Sequence, residues 1–299
     1  MLTLLVIVVT LLMLLLASIS DLKTGEIPEK FSMGLVAFIL AVSAAHSVYS
    51  WDLSHILASV EFGAILFVMG YVVFYFGGWG GGDVKIIAGV GCLLGYLDST
   101  GFTWPNSSFI SFHMPPFVTY LIDMAFMSTP YVIVYTLVLG LGRPVVFSYF
   151  LSRLREPRNL VFVFVSVMPA LLAFYLGFGV LLYTYLLVPL FLLATIYMKA
   201  VEEIVLTKGI RISELKEWDI LSEDLVVDGV RVAQRRNIEG ITPEQLARIR
   251  ELAASGRIPD AIRIRWGIKF APILLISLPL TLYFGNVLEV IFQALTQVQ

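Results

Sequence analysis

Residues 1–20 read MLTLLVIVVTLLMLLLASIS, and Asp21 follows them directly. The run carries no charged side chain, and about 18 apolar residues are enough for a helix to cross the hydrocarbon core of a membrane. It has neither a basic start nor a small-residue cleavage site, so it is unlike a secretory signal peptide. We therefore expect a permanent membrane span that ends beside a carboxylate.

The rest of the chain repeats this apolar pattern. Hydrophobic residues make up 59% of the 299 residues and charged residues only 14%, a composition that excludes a soluble protein. Eight runs are candidate spans, of which the fourth is short: 2–19, 31–49, 56–76, 84–97, 117–141, 160–176, 180–198 and 267–292. The sequence thus predicts an all-α polytopic membrane protein with about eight transmembrane helices.

A second carboxylate lies at the start of another predicted span. The stretch Gly80-Gly81-Gly82-Asp83-Val84-Lys85 joins the third run to the fourth. Carboxylates beside the hydrocarbon boundary are costly and mark functional sites by default. Asp21 and Asp83 are therefore the candidate catalytic residues.

The basic residues indicate the orientation of the spans. If the eight spans alternate in direction, all 20 lysines and arginines fall on the side that carries Asp21 and Asp83. Basic residues stay in the cytoplasm because their translocation is disfavoured. We therefore expect a multi-pass protein of the plasma membrane with its active site on the cytoplasmic side.

The same pattern divides the chain into four segments: a four-span catalytic unit (1–97), three further spans (98–198), a soluble cytoplasmic insert (199–266) and a C-terminal span (267–299). In the insert, Thr242-Pro243-Glu244-Gln245 predicts a capped helix that stops at Gly256. Residues 225–232 predict a small hairpin around Asp228-Gly229. The insert is therefore expected to be a small α+β module.

Two carboxylates on one side suit the hydrolysis of a peptide bond. An ionised carboxylate takes a proton from water, while a protonated one hydrogen-bonds the scissile carbonyl. In such a pair the pKa of one carboxyl rises, because both cannot be charged at contact distance. Gly80, Gly81 and Gly82 would let a substrate backbone approach the pair, and Lys85 could shift its charge balance.

Other functions fit parts of this pattern. Taken alone, Asp83 could be an ordinary helix cap and Asp21 an ordinary interfacial residue. Both together on one face favour a catalytic pair. Glu61 and Asp123 lie inside predicted spans, and with Asp83 they could relay protons or bind a cation in a transporter or channel. A catalytically idle assembly subunit is a third possibility.

The residues around the two aspartates carry a family resemblance. Gly80-Gly81-Gly82-Asp83 matches the G-x-G-D motif of intramembrane aspartyl proteases. Gly82-Asp83-Val84-Lys85 and Asp21-x5-Ile27-Pro28 resemble the two active-site motifs of type IV prepilin peptidases. The chain is most similar to the archaeal members of this group, the prepilin and preflagellin (archaellin) peptidases. Residues 240–244 and 267–272 resemble the C-terminal region of these archaeal proteins. Bacterial members usually add a domain with paired Cys-x-x-Cys motifs and N-methyltransferase activity. This chain has a single cysteine, Cys92, so we expect neither that domain nor that activity.

The resemblance implies a membrane aspartyl endopeptidase that removes the short basic leader of pilin-like or archaellin precursors. It implies that Asp21 and Asp83 are catalytic, without deciding which is the base, and that Ile27 and Pro28 belong to the site. Glu26 and Glu29 could attract the leader's positive charge, or be solvated loop charges. Membrane lipid is the other expected partner, and no nucleic acid, metal or organic cofactor is implied.

Overall fold

The structure is a computed structural model, and it describes residues 1–76, 78–103, 114–217, 219–227, 230–233 and 240–296. The chain forms two compact units. The first unit joins Met1–Tyr131 to Ile268–Gln299, and the second is Val132–Gly267. Asp21 and Asp83 both belong to the first unit. The segment boundaries expected from the sequence remain predictions.

Most of the described chain is helical. The α-helices are α1 (Leu2–Thr24), α2 (Glu29–Ser50), α3 (Ser54–Tyr75), α4 (Gly81–Ser99), α5 (Pro116–Gly140), α6 (Pro144–Leu154), α7 (Pro157–Tyr175), α8 (Gly179–Val201), α9 (Pro243–Ala254), α10 (Ala271–Phe284) and α11 (Val287–Thr296). Within the described ranges, α1, α2, α3, α5, α7 and the stretch Tyr185–Leu206 are long and apolar enough to cross a membrane. The helix α4 and the shorter apolar α10 occupy the remaining predicted spans. A polytopic helical membrane protein with a small insert is therefore confirmed.

Helix α4 is the centre of the first unit. Its residues from Val84 to Leu97 are buried or nearly so, because α2 and α3 pack along it. Gly91 and Gly95 make this possible: a Cβ on either would meet the backbone of α3 at Phe62 or Ala58. Small residues let membrane helices approach this closely. The short fourth predicted span is therefore a central helix of this unit.

The last predicted span, 267–292, differs from the structure, which has two helices there. Gly285 adopts a left-handed φ of 70° and separates α10 from α11. The fully buried Asp123 of α5 stabilises the break: its carboxylate accepts hydrogen bonds from Thr281 Oγ1 (2.7 Å) and from the backbone N–H of Val287 (2.9 Å). A carboxylate at a helix N-terminus also complements the helix dipole.

The second unit contains the end of α5, the helices α6 to α8 and the predicted insert. No helix was predicted between the spans 117–141 and 160–176, but the structure has α6 there, which begins at Pro144 and whose Val146 is buried. Both α6 and α7 pack on α8, which a π-helical turn, Glu202–Leu206, continues toward the insert.

The insert is an α+β module, as predicted. Its strands are β1 (Thr207–Arg211), β2 (Ile220–Leu221), β3 (Leu225–Val227), β4 (Val230–Ala233) and β5 (Ala261–Arg265). One antiparallel sheet has the order β1-β5-β2, and β3 pairs with β4 as the expected hairpin, whose turn lies outside the described residues. Helix α9 begins with the predicted capping box: Thr242 and Gln245 exchange hydrogen bonds of 3.1 and 3.3 Å. Leu246, Ile249 and Leu252 of α9 bury against the sheet residues.

Candidate active site

Asp21 lies in the last turn of α1. The helix extends to Thr24, beyond the predicted span, so the carboxylate is held by regular backbone. Gly25 ends the helix with a φ of 77°, and its N–H donates to the Asp21 carbonyl at 2.9 Å. The Asp21 side chain is buried, with 6% of the residue exposed. A rigid helix end therefore presents this carboxyl group inside the protein.

Asp83 lies in the first turn of α4 and is equally buried, with 8% exposed. The backbone N–H of Gly80 donates to its Oδ2 at 3.0 Å, which is the contact expected of a helix-capping aspartate. Its Oδ1 is also buried, yet it has no hydrogen-bond partner among the described residues. Buried polar atoms are rarely left without a partner, so this oxygen requires an explanation beyond capping.

The glycines before Asp83 differ from one another. A Cβ on Gly82 would lie 2.9 Å from the Cβ of Ile27, so the two aspartate loops touch at this point. A Cβ on Gly81 would meet no atom of the described residues within 4 Å, so the described loop is open there. A Cβ on Gly80 would lie 3.4 Å from Asp83 Oδ2. Contact between the loops thus depends on Gly82, while Gly81 leaves room for another chain.

The other predicted residues arrange the loop between α1 and α2. The carbonyl of Glu26 accepts hydrogen bonds from Ser20 Oγ (3.0 Å) and Thr24 Oγ1 (3.2 Å), and Pro28 precedes the first residue of α2. Lys85 of α4 forms a 2.5 Å ion pair with Glu29 of α2. The pair is a second link between the loops, but it is exposed, and exposed ion pairs contribute about 0–1 kcal/mol.

A third segment, Lys269-Phe270-Ala271 at the start of α10, completes the site. The N–H of Ala271 donates to Asp21 Oδ2 at 3.2 Å. The Lys269 ammonium lies against Gly25 and acts electrostatically on both Asp21 and Asp83. Neither residue was among the site residues expected from the sequence, although 267–272 was part of the resemblance. A lysine directly before an apolar helix, on the side of the aspartates, was the available signal.

Aromatic packing holds this third segment against the Asp83 loop. The rings of Phe270 and Trp79 are in contact, with their centroids 4.8 Å apart. The hydroxyl of Tyr131 donates to the carbonyl of Lys269 at 2.9 Å. Three sequence-distant segments therefore converge on the two carboxylates.

The arrangement has the parts of an acid–base pair. Asp21 is close enough to Asp83 for its charge to act on the second carboxyl group. Two buried carboxylates cannot both be charged without a large desolvation cost, so a pair that shares one proton is favoured. Lys269, which acts electrostatically on both members, would balance the single negative charge of such a pair. Such a pair can take a proton from water and supply one to a carbonyl oxygen.

The intramembrane carboxylates of the transporter hypothesis lie elsewhere. Asp123 accepts the two hydrogen bonds at the break between α10 and α11, and Glu61 is exposed on α3. Neither contacts Asp21 or Asp83 through any hydrogen bond between described residues. In the described part of the chain, no group of three or more His, Cys, Asp or Glu side chains is arranged to hold a metal ion.

Comparisons with known proteins cover the segment that contains both aspartates. The family model of the type IV leader peptidase family matches residues 8–145, which include both aspartates. The chain is 23% identical to prepilin peptidase EppA of Methanothermobacter thermautotrophicus, over 95% of each chain. It is 22% identical to prepilin peptidase EppA of Methanocaldococcus jannaschii, over 90% of this chain and 94% of the relative. No solved structure gives a significant match.

A further relative matches a shorter part of the chain. The preflagellin peptidase of Methanocaldococcus jannaschii is 37% identical over 27% of this chain and 34% of its own length. The two prepilin peptidases match nearly end to end, so their likeness extends over the later spans and the insert as well. Residues 8–145, the segment that contains both aspartates, are therefore similar to the type IV leader peptidase family.

Proposed function

We propose that this chain is a membrane aspartic endopeptidase that removes the leader of pilin-like or archaellin precursors, with Asp21 and Asp83 as its catalytic pair. The observation that carries the proposal is the convergence of two buried carboxylates, one of which keeps a buried oxygen without a partner in the described chain. The names of the relatives, prepilin peptidase and preflagellin peptidase, support the substrate class.

The direct test supplies the protein with its proposed substrates. Membranes that contain the protein are incubated with a panel of precursors that differ in their leaders, and the cut bond is mapped by mass spectrometry. We expect one cut between the basic leader and the apolar helix. Failure to cut any precursor, under conditions in which a related peptidase cuts its own, would remove the substrate assignment.

The geometry supports a water-mediated mechanism. A water bound between the carboxyl groups would give a proton to the ionised aspartate and attack the scissile carbonyl. The protonated aspartate would hydrogen-bond the carbonyl oxygen and then protonate the leaving nitrogen. The open space above Gly81 is where the substrate backbone would lie beside the pair.

We further propose that the site faces the cytoplasm, which the segregation of the 20 basic residues supports. Thr24→Cys and Gly80→Cys, made in a Cys92→Ser background, should react with a membrane-impermeant maleimide only in inside-out vesicles. Ser50→Cys, at the other end of α2, should react only in right-side-out vesicles. The opposite labelling of these positions would reverse the proposed orientation.

The glycines give a matched pair of variants. Gly82→Ala should lower the free energy of unfolding by about 1–3 kcal/mol, because its methyl group would collide with Ile27. Gly81→Ala has room for its methyl group and should leave the thermal midpoint unchanged or slightly higher. It should nevertheless raise KM, since the methyl group would occupy the space proposed for substrate. Thermal unfolding and steady-state cleavage measure the two effects, and an unchanged KM in Gly81→Ala would contradict this substrate position.

Asp123 separates the peptidase from the transporter hypothesis. Asp123→Ala leaves the Thr281 hydroxyl and the Val287 N–H without their acceptor, so we expect a loss of about 1–3 kcal/mol in the free energy of unfolding. Cleavage per folded molecule should stay near wild type, because Asp123 is outside the proposed site. If Asp123→Ala folds normally and loses its activity, a role for Asp123 in proton or ion transfer would be favoured instead.

A further inference from the structure

A cavity of about 580 Å³ lies in the second unit, beside the proposed cytoplasmic ends of α7 and α8 and against α6. This volume is within the range of small-molecule sites in proteins, about 300–1,000 Å³. Its basic lining residues are Arg153, Arg158 and Lys199, and its apolar lining residues include Phe162 and Leu192. All of its lining residues belong to the second unit, whereas the two aspartates belong to the first.

Two of the three acidic residues that line the cavity are paired with arginines. Glu156 is paired with Arg153 at 2.8 Å, and Glu202 is paired with Arg265 at 2.6 Å. The side chains of Arg158 and Lys199 have no hydrogen-bond or ion-pair partner among the residues that the structure describes. Two cations therefore line the cavity together with one further carboxylate, Glu203.

Arg153 is held in place before any ligand arrives. Its Nε and Nη2 donate to the Tyr149 hydroxyl at 3.0 and 2.6 Å, and its guanidinium lies 5.1 Å from the centre of the Tyr149 ring. The remaining N–H groups of a fixed guanidinium can donate to an anion at little further entropic cost, and phosphate oxygens match its geometry.

The position of the cavity along the helices matches the headgroup layer of a membrane. Arg158 is the second residue of the apolar helix Pro157–Tyr175, and Lys199 lies in the last turn of α8. One turn along α7, Phe162 is 55% exposed and continues an exposed apolar surface with Leu160 and Val161. Basic pockets between membrane helices on the cytoplasmic side are typical headgroup sites.

We propose that this cavity binds the phosphate of an anionic membrane lipid. Arg158 and Lys199 contact the phosphate oxygens, Arg153 supports them, and an acyl or isoprenoid chain lies along Phe162 and Leu192. A soluble phosphate ester would pair with the cations but would leave Phe162 and Leu192 exposed to water. A lipid can pair with the cations and cover these apolar residues, so it is the favoured occupant.

The test counts lipids on the full-length protein. Protein purified in a non-ionic detergent is titrated with phosphatidylglycerol or with phosphatidylcholine, and the bound lipid is measured by native mass spectrometry. We expect saturable binding of phosphatidylglycerol that is at least about tenfold weaker in the double variant Arg158→Gln/Lys199→Gln. Phosphatidylcholine should bind more weakly to wild type and be little affected by the substitutions.

Two control variants distinguish binding in the cavity from a general effect of surface charge. Arg143→Gln/Arg155→Gln removes the same charge from the two ends of α6, outside the cavity lining, and should bind phosphatidylglycerol as wild type does. Arg158→Lys/Lys199→Arg keeps both positive charges and should bind phosphatidylglycerol as the wild type does. That result would show that the double glutamine variant loses binding through its charge and not through misfolding. Equal weakening in the α6 control, or failure of the charge-keeping variant to bind, would overturn the site. Displacement of the lipid by millimolar glycerol phosphate would overturn the assignment to a lipid.

Discussion

Asp21→Asn and Asp83→Asn should each reduce cleavage of a pilin-like precursor about 10²–10⁴-fold, the range that acid–base catalysis contributes. An amide cannot take or give the proton that the pair shares, so either substitution removes the function of both residues. The double variant should therefore be no worse than the more damaged single variant, because the two groups act as a unit. Initial cleavage rates in membranes with equal amounts of folded protein measure the effect.

The asparagine variants also separate catalysis from helix capping. The Oδ1 of an asparagine at position 83 can still accept the hydrogen bond from Gly80, so α4 should begin as it does in the wild type. The thermal midpoint should accordingly change little while cleavage is lost. Asp98→Asn is the matched control, because Asp98 is an exposed carboxylate at the opposite end of α4. Wild-type cleavage by Asp83→Asn or Asp21→Asn would reject the catalytic pair.

The local features of this protein could be predicted from its sequence. Apolar runs predict the spans, and a carboxylate beside the end of such a run is unusual. Asp21 and Asp83 could therefore be predicted as candidate site residues. The capping box at Thr242 depends on residues three apart, and its hydrogen bonds are present. These features could be predicted because the residues that determine each of them lie within a few positions of one another in the sequence.

The remaining features depend on contacts that the sequence does not express locally. Asp21 and its hydrogen-bond donor Ala271 are 250 residues apart, and only the packing of α1 against α10 brings them together. The break between α10 and α11 depends on Asp123 of a different helix, so 267–292 looks continuous in the sequence. No helix was predicted between residues 141 and 160, where α6 lies, because arginines and a proline in a short segment are equally typical of a loop.

The third segment of the site carries the second large prediction. We expect Lys269→Gln to reduce kcat about tenfold to a hundredfold, where each factor of ten corresponds to about 1.4 kcal/mol of lost transition-state stabilisation. A pair of carboxylates that shares one proton keeps a net negative charge, and the Lys269 ammonium is the cation that acts on both members. Without it, the buried negative charge loses its compensation while the proposed substrate-binding surfaces stay in place. The effect should therefore appear in kcat more than in KM.

Two variants decide whether the charge of Lys269 is responsible. Lys269→Arg keeps the cation and should restore most of kcat, whereas a purely structural role for the side chain would not favour arginine over glutamine. Lys85→Gln is the matched control, because Lys85 is another lysine beside the site but is paired with Glu29 at the exposed surface. It should change kcat by no more than about fivefold, as expected for an exposed ion pair worth about 0–1 kcal/mol. If Lys85→Gln were the more damaging variant, the cation that supports the carboxylates would be Lys85, and the role assigned to the start of α10 would be wrong.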